Sequence, residues 1–454
     1  MLSFLLSSHA RVVILGAGES GIGAALLAKQ KGLEVFVSDK NKISEKYKNE
    51  LISSNIEFEE LRHSEEKILS ANLIIKSPGI SEKTFIIQES IKRKIPVISE
   101  IEFAAYYTKA KLICITGTNG KTTTTLLTYH LLKEAGFRVG LAGNVGISLA
   151  RQVAQEDVDY FVVEISSFQL DGMYETKAHV SILLNITPDH LDRYGKMENY
   201  IDSKFRIIQN MNQKDSFIYF QDDLILEREV KQREIEKKIN TFSVSLKKEN
   251  HSQAFYENEQ IYFNFNNQSF SIHRSEVSLK GKHNYINIMA AVSAALCVNV
   301  SEKSIRKGLK NFKNAPHRLE FVRELNGVIF INDSKATNVD AVFYALDSYE
   351  KPLVWIAGGI DKGNDYSLLD ELVKKNVKAL VCMGTDNSKL KKAFSTKISK
   401  IADTNTIQDA VQAAFQFASS GDVVLLSPAC ASFDLFKNYE DRGEQFKKTV
   451  LALT

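Results

Sequence analysis

The apolar run Lys111-Leu-Ile-Cys-Ile115 leads straight into Thr116-Gly-Thr-Asn-Gly-Lys-Thr-Thr123, and a helical pattern follows to Ala135. This glycine turn between a strand and a helix limits the possible folds more than any other feature of the chain. Such a turn aims backbone N–H groups at one point, and the helix N-terminus favours negative charge there. It belongs at the C-terminal edge of a parallel sheet, so the chain around it should alternate strands and helices. Lys121 is placed to reach β/γ-phosphate oxygens and Thr122 to coordinate Mg²⁺. The general GxxxxGK[ST] pattern is not fully met, because Ile115 stands where its first glycine would be.

A second glycine turn lies near the N-terminus. Arg11–Leu15 is followed by Gly16-Ala-Gly18-Glu-Ser-Gly21, a small-residue helix from Ile22 to Lys31, and the run Leu33–Val37 before Asp39. That matches the dinucleotide fingerprint, and alone it would suggest an NAD-dependent oxidoreductase. The same geometry holds any diphosphate, including that of a UDP-sugar. Later runs read as strands are 73–75, 96–98, 160–164, 180–184, 328–331, 353–356, 379–382 and 422–426. Residues 212–276 are rich in Lys, Glu, Asn and Gln and read as a peripheral β segment. At about 100–200 residues per domain, a chain of this length holds two to four. The expected fold is α/β in three domains: a Rossmann-like domain over 1–109, a P-loop-type ATP-binding domain over 110–316, and a second Rossmann-like domain over 317–454.

Composition excludes other classes. A net charge of +3 gives no electrostatic footprint for nucleic acid. Cys114, Cys297, Cys382 and Cys430 form no CxxC pair, so neither a metal cluster nor a disulfide framework is expected. The Met1–Arg11 segment lacks a basic, long-cored signal and reads as a lead-in to the first strand. No apolar run approaches the roughly 20 residues of a membrane span, so a cytoplasmic protein is expected.

Other residues carry possible chemistry. Glu164 ends a strand, where a carboxylate opposite a phosphate loop can act as a Walker-B-type acid. His190 sits between Asp189 and Asp192 at another strand end. Lys204, by pattern alone, is a solvated helix lysine. His317-Arg318 and Asp333-Ser-Lys-Ala-Thr-Asn338 offer cation and acid pairs suited to a nucleotide.

Taken together, the Thr116–Thr123 loop, Glu164 with Ser166-Ser-Phe-Gln169, and Asp189-His-Leu-Asp192 resemble the Mur ligase family over nearly the whole chain. Asp333–Asn338 and Ser427-Pro-Ala-Cys-Ala-Ser-Phe-Asp434, with Arg442-Gly443 beyond, resemble its D-glutamate-adding branch. The resemblance implies ATP-dependent joining of D-glutamate to UDP-N-acetylmuramoyl-L-alanine through an acyl phosphate; a monomer is expected. It implies an ATP site of Gly117, Thr118, Asn119, Gly120, Lys121, Thr122 and Thr123, with Asn287, Arg318 and Asp333 at the adenosine. Thr122 and Glu164 would hold one Mg²⁺. His190 and Lys204 would hold a second, with Lys204 carrying a CO₂-derived carbamate, since an ammonium cannot ligate a cation. Gly18, Glu19, Ser20, Asp39 and Gly79 would contact the UDP part and Asn144 the sugar-peptide. Lys335, Thr337, Lys362, Ser432 and Phe433 would surround D-glutamate. Glu19 departs from the family pattern, because an acid beside a diphosphate is unexpected. An oxidoreductase leaves the Gly117–Thr122 loop unused, and a simple ATP-driven switch leaves the C-terminal motifs unused. A sister ligase for another amino acid is the nearest rival.

Overall fold

The computed structural model describes residues 10–454 except 156, 250, 251, 266, 267, 280 and 350. The Met1–His9 lead-in therefore lies outside the described residues.

The first sheet contains β1 (Arg11–Leu15), β2 (Glu34–Ser38), β3 (Glu57–Glu59), β4 (Leu73–Lys76) and β5 (Val97–Ile98). All are parallel, in the order β3-β2-β1-β4-β5. Chain order reverses between β1 and β4, and such a switch point opens a crevice at the carboxyl ends of the strands. β3 was not apparent in the sequence, because Glu57-Phe-Glu59 is short and acidic and pairs only at the sheet edge.

The second sheet has nine strands: β6 (Lys111–Thr116), β7 (Val139–Gly143), β8 (Tyr160–Glu164), β9 (Val180–Leu183), β10 (Ser216–Phe220), β11 (Asn240–Ser245), β12 (Ala254–Glu257), β13 (Gln260–Phe265) and β14 (Gln268–His273). Their order is β14-β13-β12-β11-β10-β9-β6-β8-β7. The polar segment read as peripheral thus extends this sheet. β10 and β11 join in parallel, and β12 to β14 continue as an antiparallel meander.

The third sheet contains β15 (Glu320–Leu325), β16 (Val328–Asn332), β17 (Leu353–Ala357), β18 (Val377–Met383), β19 (Ile401–Thr404) and β20 (Val423–Leu426). Its order is β15-β16-β20-β17-β18-β19, with only β15 antiparallel. Its central strands are wholly buried apolar runs, as expected of a sheet covered on both faces. The two strands the sequence did not reveal, β15 and β19, are the half-exposed edges.

Seven helices matter below: α1 (Glu19–Gln30), α2 (Glu100–Tyr107), α3 (Lys121–Glu134), α4 (Leu149–Gln155), α5 (Met197–Phe205), α6 (Lys282–Cys297) and α7 (Tyr439–Leu451). The first two sheets belong to one compact unit, residues up to Val277 with Ile286–Phe312. The third belongs to another, Ser278–Tyr285 with Lys313–Thr454. Among the described residues, no helix is long and apolar enough to cross a membrane. Cys114 and Cys382 are buried, and burial pushes both thiols up to about 12, which suits small core side chains.

Candidate active site

The loop after β6 is held from below by the segment after β9. Thr118 N donates to Asn185 O at 3.0 Å and Asn119 N to Asn185 Oδ1 at 2.8 Å. Gly120 has φ of +83°, and a Cβ there would lie 2.5 Å from Asn287 Oδ1 on α6. Glycine is therefore needed for both the backbone angle and the close approach of Asn287. Lys121 Nζ curls over its own loop and donates to Gly117 O at 2.8 Å and Thr118 O at 2.7 Å.

Lys204 on α5 does not lie where its pattern suggested. It is 1% exposed, and its Nζ donates to the same Gly117 O at 2.9 Å, with Thr116 Oγ1 at 3.5 Å. Burial first, and then the charge of Lys121, hold it well below the ordinary lysine value. Two amines thus converge on one carbonyl, and the buried one is driven toward its neutral form. A helical pattern reveals the face a lysine occupies but not what the tertiary fold packs over it.

Glu164 ends β8, the strand beside β6, with Ile115 and Glu164 in register. It is 1% exposed. Oε1 accepts from Asn144 Nδ2 at 3.0 Å, whereas Oε2 is buried and has no hydrogen-bond partner. Leaving a carboxylate oxygen in this state costs several kcal/mol unless a cation completes it. Its position at the strand end, with Thr122 in the first turn of α3 after the adjacent strand β6, offers the kind of hard oxygen donors that Mg²⁺ takes.

His190 has φ of +54°, and its ring centroid is 4.8 Å from that of Phe168. Phe168 sits on a one-turn helix closed by a Ser166–Gln169 capping box, which accounts for the Ser-Ser-Phe-Gln spacing. Tyr200 joins these groups: its hydroxyl lies 3.2 Å from Thr118 Oγ1, and Lys204 Nζ is 4.7 Å from its ring. Lys121, Glu164, His190 and Lys204 are thereby tied into one region with Asn144 and Asn287.

In the first sheet, Gly16 has φ of +92°, and a Cβ there would meet Ser77 Oγ at 2.5 Å. The Gly16–Gly21 turn and the Ser77-Pro-Gly79 turn therefore flank one crevice at the β1/β4 switch point. Asp39 Oδ2 accepts from Ala17 N at 2.7 Å and so shapes that turn. Glu19 faces elsewhere: its carboxylate takes Arg151 Nε at 2.8 Å and Tyr47 OH at 3.2 Å. Arg193, one turn beyond His190, donates to Pro78 O at 2.9 Å, with its guanidinium 3.8 Å from the Phe168 ring centroid.

In the third sheet, Asp333 is buried after β16. Its carboxylate accepts from Ser427 Oγ at 2.9 Å and Leu319 N at 3.2 Å, and burial raises it to about 7. Lys335 and Thr337, Lys362, and Ser432 and Phe433 lie on the loops after β16, β17 and β20 respectively. Those loops are joined by Ala429 N to Ala336 O at 3.0 Å and Ile360 N to Ala431 O at 2.8 Å. Arg442, which the sequence left without a role, is the fully buried pin beneath them. It donates to Ser334 O at 2.8 Å and Cys430 O at 3.3 Å. Only its place in the Arg-Gly pair of the C-terminal motif hinted at this. Ser432 is buried, whereas Phe433 is 68% exposed.

A phosphate-type loop beside a buried carboxylate with one unsatisfied oxygen, together with a separate diphosphate-type crevice, defines a nucleotide-dependent α/β enzyme of several domains. Comparison with known families narrows this. The Mur ligase MurD-like N-terminal domain matches residues 10–99, the Mur ligase middle domain 115–295, and the Mur ligase glutamate ligase domain 317–430. The chain belongs to the Mur ligase family, whose members use ATP to add amino acids to UDP-N-acetylmuramoyl peptides. It is 52% identical to the UDP-N-acetylmuramoylalanine--D-glutamate ligase of Cytophaga hutchinsonii, over 98% of this chain and 99% of that one. It is 51% identical to the ligase of the same name in Bacteroides fragilis, over 98% and 100%. Among solved structures, MurC from Thermotoga maritima shares the fold at a TM-score of 0.62 and 16% identity, covering 98% of this chain and 100% of that one. MurF from the same organism, solved with ADP, does so at 0.60 and 17%, covering 98% and 99%.

Proposed function

We propose that this ligase joins D-glutamate to the L-alanine carboxylate of UDP-N-acetylmuramoyl-L-alanine, releasing ADP and phosphate. The observation that carries the reading is the full-length identity of about half to ligases of that name. The conjunction of the Lys121 loop with Glu164 supports it.

In this reading the substrate carboxylate attacks the γ-phosphorus of ATP and ADP leaves. The amine of D-glutamate then attacks the acyl phosphate carbonyl, loses a proton, and phosphate departs. Two anions must meet in the first step. Lys121 and the backbone N–H groups of the Gly117–Thr123 loop offset that repulsion. Asn144 borders the sugar-peptide while its amide orients Glu164, and Asn287, Arg318 and Asp333 read the adenosine. Gly18, Ser20, Asp39 and Gly79 hold the UDP part. Lys335, Thr337, Lys362, Ser432 and Phe433 take the two carboxylates and the chain of D-glutamate. Thr122 and Glu164 would hold one Mg²⁺, and His190 with Lys204 a second; the ions would supply charge neutralisation at the transferred phosphoryl group.

Lys204 fits that role only after modification. Its buried, neutral-leaning amine is the form that adds CO₂, forming an N–C bond and losing a proton to give a carbamate with two oxygen donors. The assignment of 1–109 to the UDP substrate, 110–316 to ATP and 317–454 to the amino acid, and action as a cytoplasmic monomer, belong to the same proposal.

Phosphate release is measured with ATP, Mg²⁺ and UDP-N-acetylmuramoyl-L-alanine, adding one amino acid at a time. Release only with D-glutamate, with a product heavier by one glutamyl residue, is expected. Release with another amino acid instead would move the chain to a sister ligase.

A further inference from the structure

Glu19 occupies the first position of α1, directly behind the glycine turn, where a diphosphate would sit against the helix N-terminus. Its carboxylate is already committed. Arg151 on α4 donates to it through Nε at 2.8 Å and Nη2 at 3.2 Å, and Ser148 N and Oγ approach at 3.3 Å. Arg151 Nη1 also donates to Glu50 Oε2 at 2.6 Å, which leaves this three-charge cluster with a net negative charge. The Arg151 side chain is only 12% exposed, so the pairs are better shielded than ordinary surface ion pairs. Burial alone would raise the Glu19 carboxyl, but Arg151 and the Ser148 N–H outweigh it and hold the group below its ordinary value.

The packing around this cluster is close. A Cβ on Gly23 of α1 would come within 1.9 Å of Ser148 Oγ and 3.1 Å of Arg151 N. α1 is therefore seated directly on the start of α4. A second carboxylate, Glu100 of α2, accepts from Ala150 N in the same turn. The segment leading into α4 is Gly143-Asn144-Val-Gly-Ile147. It is closed by Gly143 N to Ile147 O at 3.2 Å and tied to β8 by Asn144 N to Glu164 O at 2.9 Å. Its Asn144 side chain is the one that donates to Glu164 Oε1.

We propose that Glu19 and Arg151 are positioning residues of the metal site: they fasten the diphosphate-crevice helix to the start of α4, and so fix the loop from which Asn144 aims the Glu164 carboxylate. This resolves the odd acid in the glycine turn, because Glu19 holds protein and not substrate. The inference rests on the reading of Glu164 as a metal ligand, not on which amino acid is joined.

The test uses the full chain with Mn²⁺ as the probe. Mn²⁺ binding in the presence of a non-hydrolysable ATP analogue is followed by electron paramagnetic resonance, and UDP-N-acetylmuramoyl-L-alanine binding by calorimetry. Loss of a group supporting a metal ligand lowers affinity by 10- to 100-fold, and Glu19 stands one step further out. Glu19→Ala and Arg151→Met should each weaken Mn²⁺ about fivefold and change UDP-substrate affinity less than twofold. Glu19→Gln keeps an oxygen for Arg151 and Ser148 and should recover most of the Mn²⁺ affinity. If Glu19→Ala melts before it can be measured, Arg151→Lys, which keeps charge but not the fork, should show an intermediate loss. Mn²⁺ affinity unchanged in every folded variant, or a large change in UDP-substrate affinity alone, overturns the proposal. If the parent protein turns over another amino acid but the Mn²⁺ losses appear, the D-glutamate reading fails and this one stands.

Discussion

The glycine turn after β1 and the glycine turn after β6 share strand, turn and helix, yet they direct charge in opposite ways. Behind the first, the charged side chain of the helix start turns away from the crevice: Glu19 is held by Arg151, and the turn is left to backbone N–H groups and Asp39. In the second, charge turns inward, with Lys121 and Lys204 both donating to Gly117 O and Glu164 ending the next strand. The first suits a turn that grips a diphosphate without acting on it. The second suits a turn where phosphoryl charge is in motion, because preorganised charge lowers a barrier only where charge develops. In the proposed reading, similar local motifs serve binding in one sheet and chemistry in another, and side chains from outside the motif decide which.

The comparison would break first at Lys204. Lys204→Ala should lower turnover by about a thousandfold, or roughly 4 kcal/mol of barrier, with the fold intact by circular dichroism. Near-normal turnover would return Lys204 to the role of a buried structural lysine. Glu164→Gln should lower turnover about a hundredfold and raise the Mg²⁺ concentration needed for half-maximal rate, read from phosphate release across a Mg²⁺ titration. A loss of rate without any shift in Mg²⁺ dependence would remove it as a ligand.

The first turn should answer in stability rather than rate. Gly23→Ala places a methyl against Ser148 and the α4 backbone and should cost about 1–3 kcal/mol, seen as a lower urea midpoint with an unchanged slope. A neutral result would mean that α1 and α4 are less closely seated than the structure has them.

A further effect concerns pH. Burial, helped by the nearby Glu19 charge, raises Glu100 from its ordinary value to about 7, against the N–H groups of Ala150 and Leu149, which lower it. The folded state therefore binds this proton more tightly than the unfolded chain does. Its contribution is fully present below about pH 4.5 and is lost as pH rises through 7, by at most about 3 kcal/mol. Glu100→Gln should flatten the urea-midpoint profile across that window; an unchanged slope would place the titration elsewhere.

Much of the architecture was legible because both glycine turns have strict local requirements. Positive φ at Gly16 and Gly120, apolar runs before them and helical patterns behind them all arise within short stretches of chain. The edge strands β3, β15 and β19 were not legible, since half-exposed strands carry mixed polarity and borrow their definition from a neighbour. The polar 212–276 segment hid β10 and β11 for a related reason: its charged connections mask two short runs whose burial exists only once β10 pairs with β9 and β11 with β10.

The sequence by itself determined the class of fold and the candidacy of the Lys121–Thr122 loop and of Glu164, because backbone geometry and strand position follow from local pattern. The tertiary structure alone decided that Lys204 is a buried amine and not a solvated one, that Glu19 pairs with Arg151, that Asn144 aims Glu164, and that Arg442 pins three loops. The physical reason is that a side chain's charge state and partners depend on what excludes water around it, and that is supplied by residues tens to hundreds of positions away.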